Sequence, residues 1–126
     1  MTSFLLDTDV LVDFLRGHAP AVQWMRDRRE RPLVSVISIA ELRAGMRPGE
    51  EAALESLFAA LIVIPVDEST ARHAGDLRRK FGPSHGTGLA DALIAASSIM
   101  NDVRLVSLNA KHYPMIESLV QPYLKD

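Results

Sequence analysis

The sequence predicts an α/β domain built on a parallel sheet. Short, largely apolar runs, Phe4-Leu5-Leu6, Leu33-Val34-Ser35-Val36, Ile62-Val63-Ile64 and Arg104-Leu105-Val106-Ser107-Leu108, recur along the chain with helical patterns between them. Such runs suit strands buried on both faces, and their alternation with helices is the mark of strand–helix–strand crossovers. Acidic or amide residues also stand just beyond several runs: Asp7 and Asp9, Glu41, and Asn109. Ligands of open parallel sheets bind at the carboxyl ends of the strands, so these positions converge on one crevice.

The chain has 126 residues, which suits one compact domain over 1–126. It is 48% hydrophobic and 24% charged, an ordinary balance for a soluble globular chain. It contains no cysteine, which excludes disulfide scaffolds and thiolate metal sites and fits a reducing compartment such as the cytoplasm. No signal-peptide pattern or membrane-spanning run is visible; the longest apolar run, Leu57 to Val66, contains Pro65. The net charge of −2 carries no global signature of nucleic-acid binding. Once Asp7, Asp9, Glu41 and Asp91 are set aside, however, the remainder holds 14 basic and 12 acidic residues. An acidic pocket in a mildly basic surface suits a cation and then a phosphate.

The first strand runs into Asp7, and a helix follows from Thr8 to Arg16, ended by Gly17. Asp7 and Asp9 have a purely local reading as helix caps. Asp13 is expected to face solvent. Pro20 opens a second helix, Ala21 to Arg29, whose end gathers Arg26, Arg28, Arg29 and Arg31; the helix dipole explains them, and phosphate contact is a second use. After the second strand, Ser38-x-x-Glu41 has the form of a capping box, with Ile39, Ala40, Leu42 and Ala44 as the packing face. A capping role and a role in the crevice compete for the Glu41 side chain.

Pro48-Gly49 is a turn, and Glu50 to Ala60 is a helix with Leu54, Leu57 and Phe58 inward. After the third strand, Asp67-Glu68-Ser69 starts a helix that is expected to stop at Gly82-Pro83. Ser84 to Gly88 reads as a polar loop. It feeds the alanine-rich helix Leu89 to Ala96, where Asp91 is the sole charge on an otherwise apolar surface. A buried carboxylate must be paired, hydrogen-bonded, protonated or bound to a metal. The fourth strand delivers Asn109, a turn follows at Lys111 to Pro114, and a final edge strand is expected near Ser118 to Val120.

Asp7, Glu41, Asp91 and Asn109 thus form a candidate oxygen-only cluster. Clustered carboxylates need raised pKa values or cations, and oxygen donors without His or Cys favour Mg²⁺ or Mn²⁺. Such a site serves phosphodiester hydrolysis. His18, His73, His85 and His112 show no metal-ligand spacing and read as surface or turn residues.

Leu5-Leu6-Asp7-Thr8-Asp9-Val10-Leu11, Ser38-Ile39-Ala40-Glu41-Leu42-Arg43-Ala44-Gly45, Leu89-Ala90-Asp91-Ala92-Leu93-Ile94-Ala95-Ala96 and Leu105-Val106-Ser107-Leu108-Asn109, in this order and at this length, resemble the PIN-domain ribonucleases, in particular VapC-like toxins of toxin–antitoxin pairs. The resemblance implies a PIN-like three-layer α/β/α sandwich around a parallel sheet of four to five strands, and Mg²⁺- or Mn²⁺-dependent endoribonuclease activity. It also implies a homodimer and a hetero-oligomer with a cognate VapB-like antitoxin. By the same resemblance Asp7, Glu41 and Asp91 match the acidic triad, Asn109 falls where many members have a fourth acid, and Asp9, Thr87 and Ser107 support the site. The alternatives are a phospho-accepting receiver-like domain using Asp67 and Lys111, and a metal-binding interaction domain with weak catalysis.

Overall fold

The structure, a computed structural model, describes residues 3–125. Strand β1 (Phe4–Leu6) is followed by helices α1 (Thr8–Leu15) and α2 (Ala19–Arg26), strand β2 (Leu33–Ser35), helices α3 (Val36–Gly45) and α4 (Glu51–Ala59), strand β3 (Ile62–Ile64), helices α5 (Glu68–His85) and α6 (Leu89–Met100), and strand β4 (Arg104–Val106). The four strands form one parallel sheet in the order β3-β2-β1-β4. Leu5 pairs with Leu33 on one side and Leu105 on the other, so β1 is central. The chain winds outward from β1 to β3 and then crosses back to lay β4 on the opposite side of β1. The carboxyl ends of β1 and β4 therefore flank a switch point, where open parallel sheets form their binding crevice.

Alternation along the strands builds the two faces. Leu6, Val34 and Val106 face a core that includes Val10, Leu11, Leu42, Leu54, Leu57 and Leu61. Leu5, Ile64 and Leu105 face the other core, with Ile94, Ala95 and Tyr113. Each fully buried leucine contributes roughly 1.5–3 kcal/mol of transfer free energy. Ala74, Ala92 and Ala96 let α5 and α6 approach closely. Helices on both faces of the sheet give the expected α/β/α sandwich.

Several sequence expectations change. Helix α2 starts at Ala19 with Pro20 inside its first turn and ends at Arg26, so Arg28, Arg29 and Arg31 lie beyond it. Arg28 stacks 4.0 Å above the Trp24 ring, and Arg31 donates to the carbonyls of Ala59, Ala60 and Leu61, closing the end of α4. Strand β2 stops one residue early. Ser35, and not Ser38, caps α3 by accepting from the Ile37 N–H at 3.0 Å. The Ser38–Glu41 capping box does not form, and Ala40 and Ala44 are exposed. Helix α5 runs through Gly82-Pro83 to His85 and ends at Gly86, whose φ of +65° suits glycine at a helix terminus. Asp67 caps it, accepting from the Thr70 N–H at 2.8 Å.

Strand β4 ends at Val106, and a 3-10 turn at Ala110–His112 follows. The expected last strand is reduced to a single parallel bridge, Val106 to Val120. Asp13, expected in solvent, is only 8% exposed. Its carboxylate accepts from Tyr123 Oη at 2.8 Å and pairs with Lys125 Nζ at 2.5 Å, which ties the C-terminal segment across α1.

Candidate active site

Asp7 is placed by β1 and by the start of α1 at once. Its N–H donates to the Val106 carbonyl at 2.9 Å, continuing the β1–β4 ladder. Its side chain, 5% exposed, caps α1 through Oδ1, which accepts from the Thr8 N–H at 2.8 Å. Its other oxygen, Oδ2, accepts from Ser107 Oγ at 2.7 Å and from Tyr113 Oη at 2.8 Å. Capping and a crevice role are therefore compatible: Oδ1 accepts only from the Thr8 N–H and keeps a lone pair. Burial pushes the Asp7 carboxyl up, and the nearby Asp91 charge adds to that; the bonds from Ser107, Tyr113 and Thr8 pull the other way.

Asp9 lies one half-turn along. It accepts from the N–H groups of Val10 (2.7 Å) and Leu108 (3.0 Å) and from Asn109 Nδ2 (3.1 Å). Burial first, and then the charge of Asp7, push its carboxyl up to about 7. Asp91 enters from the first turn of α6 and is half-buried, its side chain 28% exposed. Its Oδ2 accepts from the Gly88 N–H at 3.0 Å, so a local capping role is real here too. The same oxygen lies 3.4 Å from His112 Nδ1, and Oδ1 lies 3.4 Å from Tyr113 Oη.

Glu41 is not delivered by a strand end. It projects from the second turn of α3, exposed, and accepts from Thr8 Oγ1 at 2.6 Å, with Ser38 Oγ 2.8 Å from the same hydroxyl. This chain attaches Glu41 to the residue next to Asp7. Asn109 is exposed, and its amide reaches Asp9. Of the predicted support, Ser107 bridges Asp7 to the Asn109 N–H (3.0 Å), while Thr87 Oγ1 donates to the His112 carbonyl at 2.7 Å.

Sequence reasoning missed Tyr113 and assigned His112 to a surface turn. Both come from the short segment after β4. Loops beyond the carboxyl ends of parallel strands carry sites, and that rule was the signal available for them.

No three His, Asp or Glu side chains among the described residues draw close enough to enclose a metal by themselves. The donors present still fit a hard cation of the Mg²⁺ type, which keeps several waters and takes one or two carboxylates together with substrate phosphate. Asp7 and Asp9 are both pushed toward protonation by burial, the condition that a cation relieves.

A three-layer parallel fold with acids gathered at its switch point defines a class. The chain belongs to the PIN-domain family, whose model, described as PIN domain, matches residues 4–115. Within that family it is VapC-like. Ribonuclease VapC10 of Mycobacterium tuberculosis is 43% identical over 122 residues, covering 94% of this chain and 92% of the relative. Ribonuclease VapC19 of the same organism is 39% identical over 123 residues, covering 94% and 98%. A toxin–antitoxin complex from Klebsiella pneumoniae superposes with a TM-score of 0.81 at 25% identity, covering 96% of this chain and 98% of that one. VapBC2 from Rickettsia felis, bound to a DNA fragment from its promoter, shares the fold with a TM-score of 0.78 at 22% identity, covering 94% and 96%. The receiver-like alternative falls with the family assignment, and Asp67 has its own role as a helix cap.

Proposed function

We propose that residues 1–126 form a single-domain, Mg²⁺- or Mn²⁺-dependent endoribonuclease, the toxin of a pair, acting in the cytoplasm and held inactive by a VapB-like antitoxin. The observation that carries the reading is the approach of Asp7 and Asp91, from β1 and α6, to one phenol oxygen at the sheet's switch point, at 2.8 and 3.4 Å. The relatives named as ribonucleases and the toxin–antitoxin complex of the same fold support the substrate and the partner. A homodimer that combines with antitoxin into a hetero-oligomer is part of the same reading.

Asp7 and Asp91 are the residues we assign to hold the cation, with Glu41 at the exposed rim and Asn109 acting through Asp9. A divalent cation supplies activation of water and neutralisation of charge developing on the scissile phosphate. Burial keeps Asp7 out of bulk water, so its carboxylate would hold a cation in surroundings of low dielectric. Thr8 fixes the Glu41 carboxylate one residue from Asp7, which sets the reach of the rim acid. Asp9 gathers two backbone N–H groups and an amide, and so ties the segment after β4 to the start of α1.

The test is cleavage of a mixed structured RNA by antitoxin-free protein with Mg²⁺, with Mn²⁺ and with EDTA, beside Asp7→Asn and Asp91→Asn purified identically. Cleavage that needs the cation and drops at least about 100-fold in both variants is expected. Full activity in both variants would remove the assignment of the site. Cation binding without cleavage of any RNA would favour the interaction-domain alternative.

A further inference from the structure

Tyr113 has a place that the triad reading does not use. Its ring is only 2% exposed and packs with Leu5, Ile64, Ile94, Ala95 and Leu105, the core beneath the site. A phenol held this way cannot swing aside, so its oxygen is a fixed point. That oxygen donates to Asp7 Oδ2 at 2.8 Å and stands 3.4 Å from Asp91 Oδ1. One rigid atom therefore touches both acids.

The acceptor count on Asp7 gives this contact a directional consequence. Each carboxylate oxygen offers two lone pairs. Oδ2 accepts from Ser107 and from Tyr113 and is filled, whereas Oδ1 accepts from the Thr8 N–H and keeps one lone pair. The two hydroxyls thus select which oxygen of Asp7 stays open to a ligand. The segment that carries it is tied down at separate points: Thr87 Oγ1 on the His112 carbonyl (2.7 Å), the Asn109 N–H on Ser107 Oγ (3.0 Å), and Asn109 Nδ2 on Asp9 (3.1 Å). Between Asn109 and Tyr113, one short turn places a neutral or weakly basic group on each of three acids: Asn109 on Asp9, His112 on Asp91, and Tyr113 on Asp7.

We propose that Tyr113 is the positioning residue of the cation site: its hydroxyl fixes the orientation of Asp7 and its spacing from Asp91, and thereby sets the affinity for a divalent cation. The inference rests on the reading of Asp7 and Asp91 as the cation-holding pair. Partners that orient metal-binding groups typically govern affinity by about 10- to 100-fold.

The experiment is Mn²⁺ binding to the EDTA-stripped, antitoxin-free full chain, followed by calorimetry or by the free-Mn²⁺ paramagnetic signal, for wild type, Tyr113→Phe and Asp7→Asn. Phenylalanine keeps the ring and removes one oxygen, so the fold should survive. The expected result is saturable binding by wild type, a Kd raised about 10- to 100-fold in Tyr113→Phe, and no saturable binding in Asp7→Asn. An unchanged Kd in Tyr113→Phe, with binding still lost in Asp7→Asn, would overturn the role of Tyr113 and leave the site reading standing. No binding by wild type, or wild-type binding by Asp7→Asn, would overturn both. A Tyr113→Phe protein without native circular dichroism would also overturn it, because a role in orientation alone predicts a folded variant.

Discussion

The contact between Asp13 and the C-terminal segment gives a stability prediction that can be worked from its parts. Asp13→Ala removes two bonds from a carboxylate on the inner side of α1. The Tyr123 hydroxyl, 2.8 Å away, makes a hydrogen bond to a charged group, worth about 1.5–3 kcal/mol. Lys125 is 45% exposed at its side chain, so its pairing adds no more than about 1 kcal/mol. Alanine recovers about 0.6 kcal/mol in helix propensity. A net loss of about 2 kcal/mol follows, which for a chain of 126 residues lowers Tm by roughly 7 °C. The pH dependence has a definite sign. The groups facing Asp13 are Lys125, Tyr123, His18 and Asp9. Burial pushes the carboxyl up, but the bonds from Lys125 and Tyr123, aided by the charges of Lys125 and His18, outweigh it and hold it below the ordinary value. A depressed carboxyl stabilises the fold above its unfolded pKa of about 3.9, and that contribution is lost as pH falls through the folded value. Urea or thermal unfolding of wild type and Asp13→Ala at pH 7 and below pH 3 should therefore give a gap at neutral pH that shrinks in acid. A gap of the same size at both pH values, or none at pH 7, would refute the reasoning.

Two further predictions concern segments that flank the site. Gly86→Ala forces a side chain into φ +65° at the end of α5 and should cost about 1 kcal/mol in unfolding experiments; the new methyl meets only His112 Nε2, at an ordinary contact distance of 3.9 Å, so the loss is backbone strain. Arg28→Ala removes a cation stacked 4.0 Å above Trp24 and a bond to the Trp24 carbonyl, so a loss of about 0.5–1 kcal/mol should accompany a changed emission of the sole tryptophan.

The strands and the order of the helices were legible from short, largely apolar runs; Ile62–Ile64 is strand β3 to the residue, although at the sheet edge Ile62 and Val63 are exposed. Ser35 and Ser38 show where local reading fails. Both can cap a helix, and they lie one turn apart; the choice is made by Thr8, a residue thirty positions away that takes Ser38 as a partner. Pro83 misled because its missing N–H costs one bond in a helix whose stop comes from Gly86. Asp13 and Tyr113 share the same difficulty in stronger form. Asp13 meets partners at Tyr123 and Lys125, and Tyr113 meets Asp7, more than a hundred residues back along the chain. Periodicity reports which face of an element is buried. It does not report which polar group will find a mate across the sheet.

The late position of β4 has a consequence for when the site comes into being. A nascent chain that has exposed Asp7, Glu41 and Asp91 holds every acid of the proposed site, yet lacks Ser107 and Tyr113, which fasten Asp7, and Asn109, which holds Asp9. Those fastenings join residues about one hundred apart, and such closures wait for the distant segment to arrive. An enzyme proposed to cut RNA is synthesised on RNA; in this fold the acids are emitted first and locked last. The ribosome and its message are therefore spared an organised site until the final strand has been made, an interval in which an antitoxin already present can meet the chain as it closes.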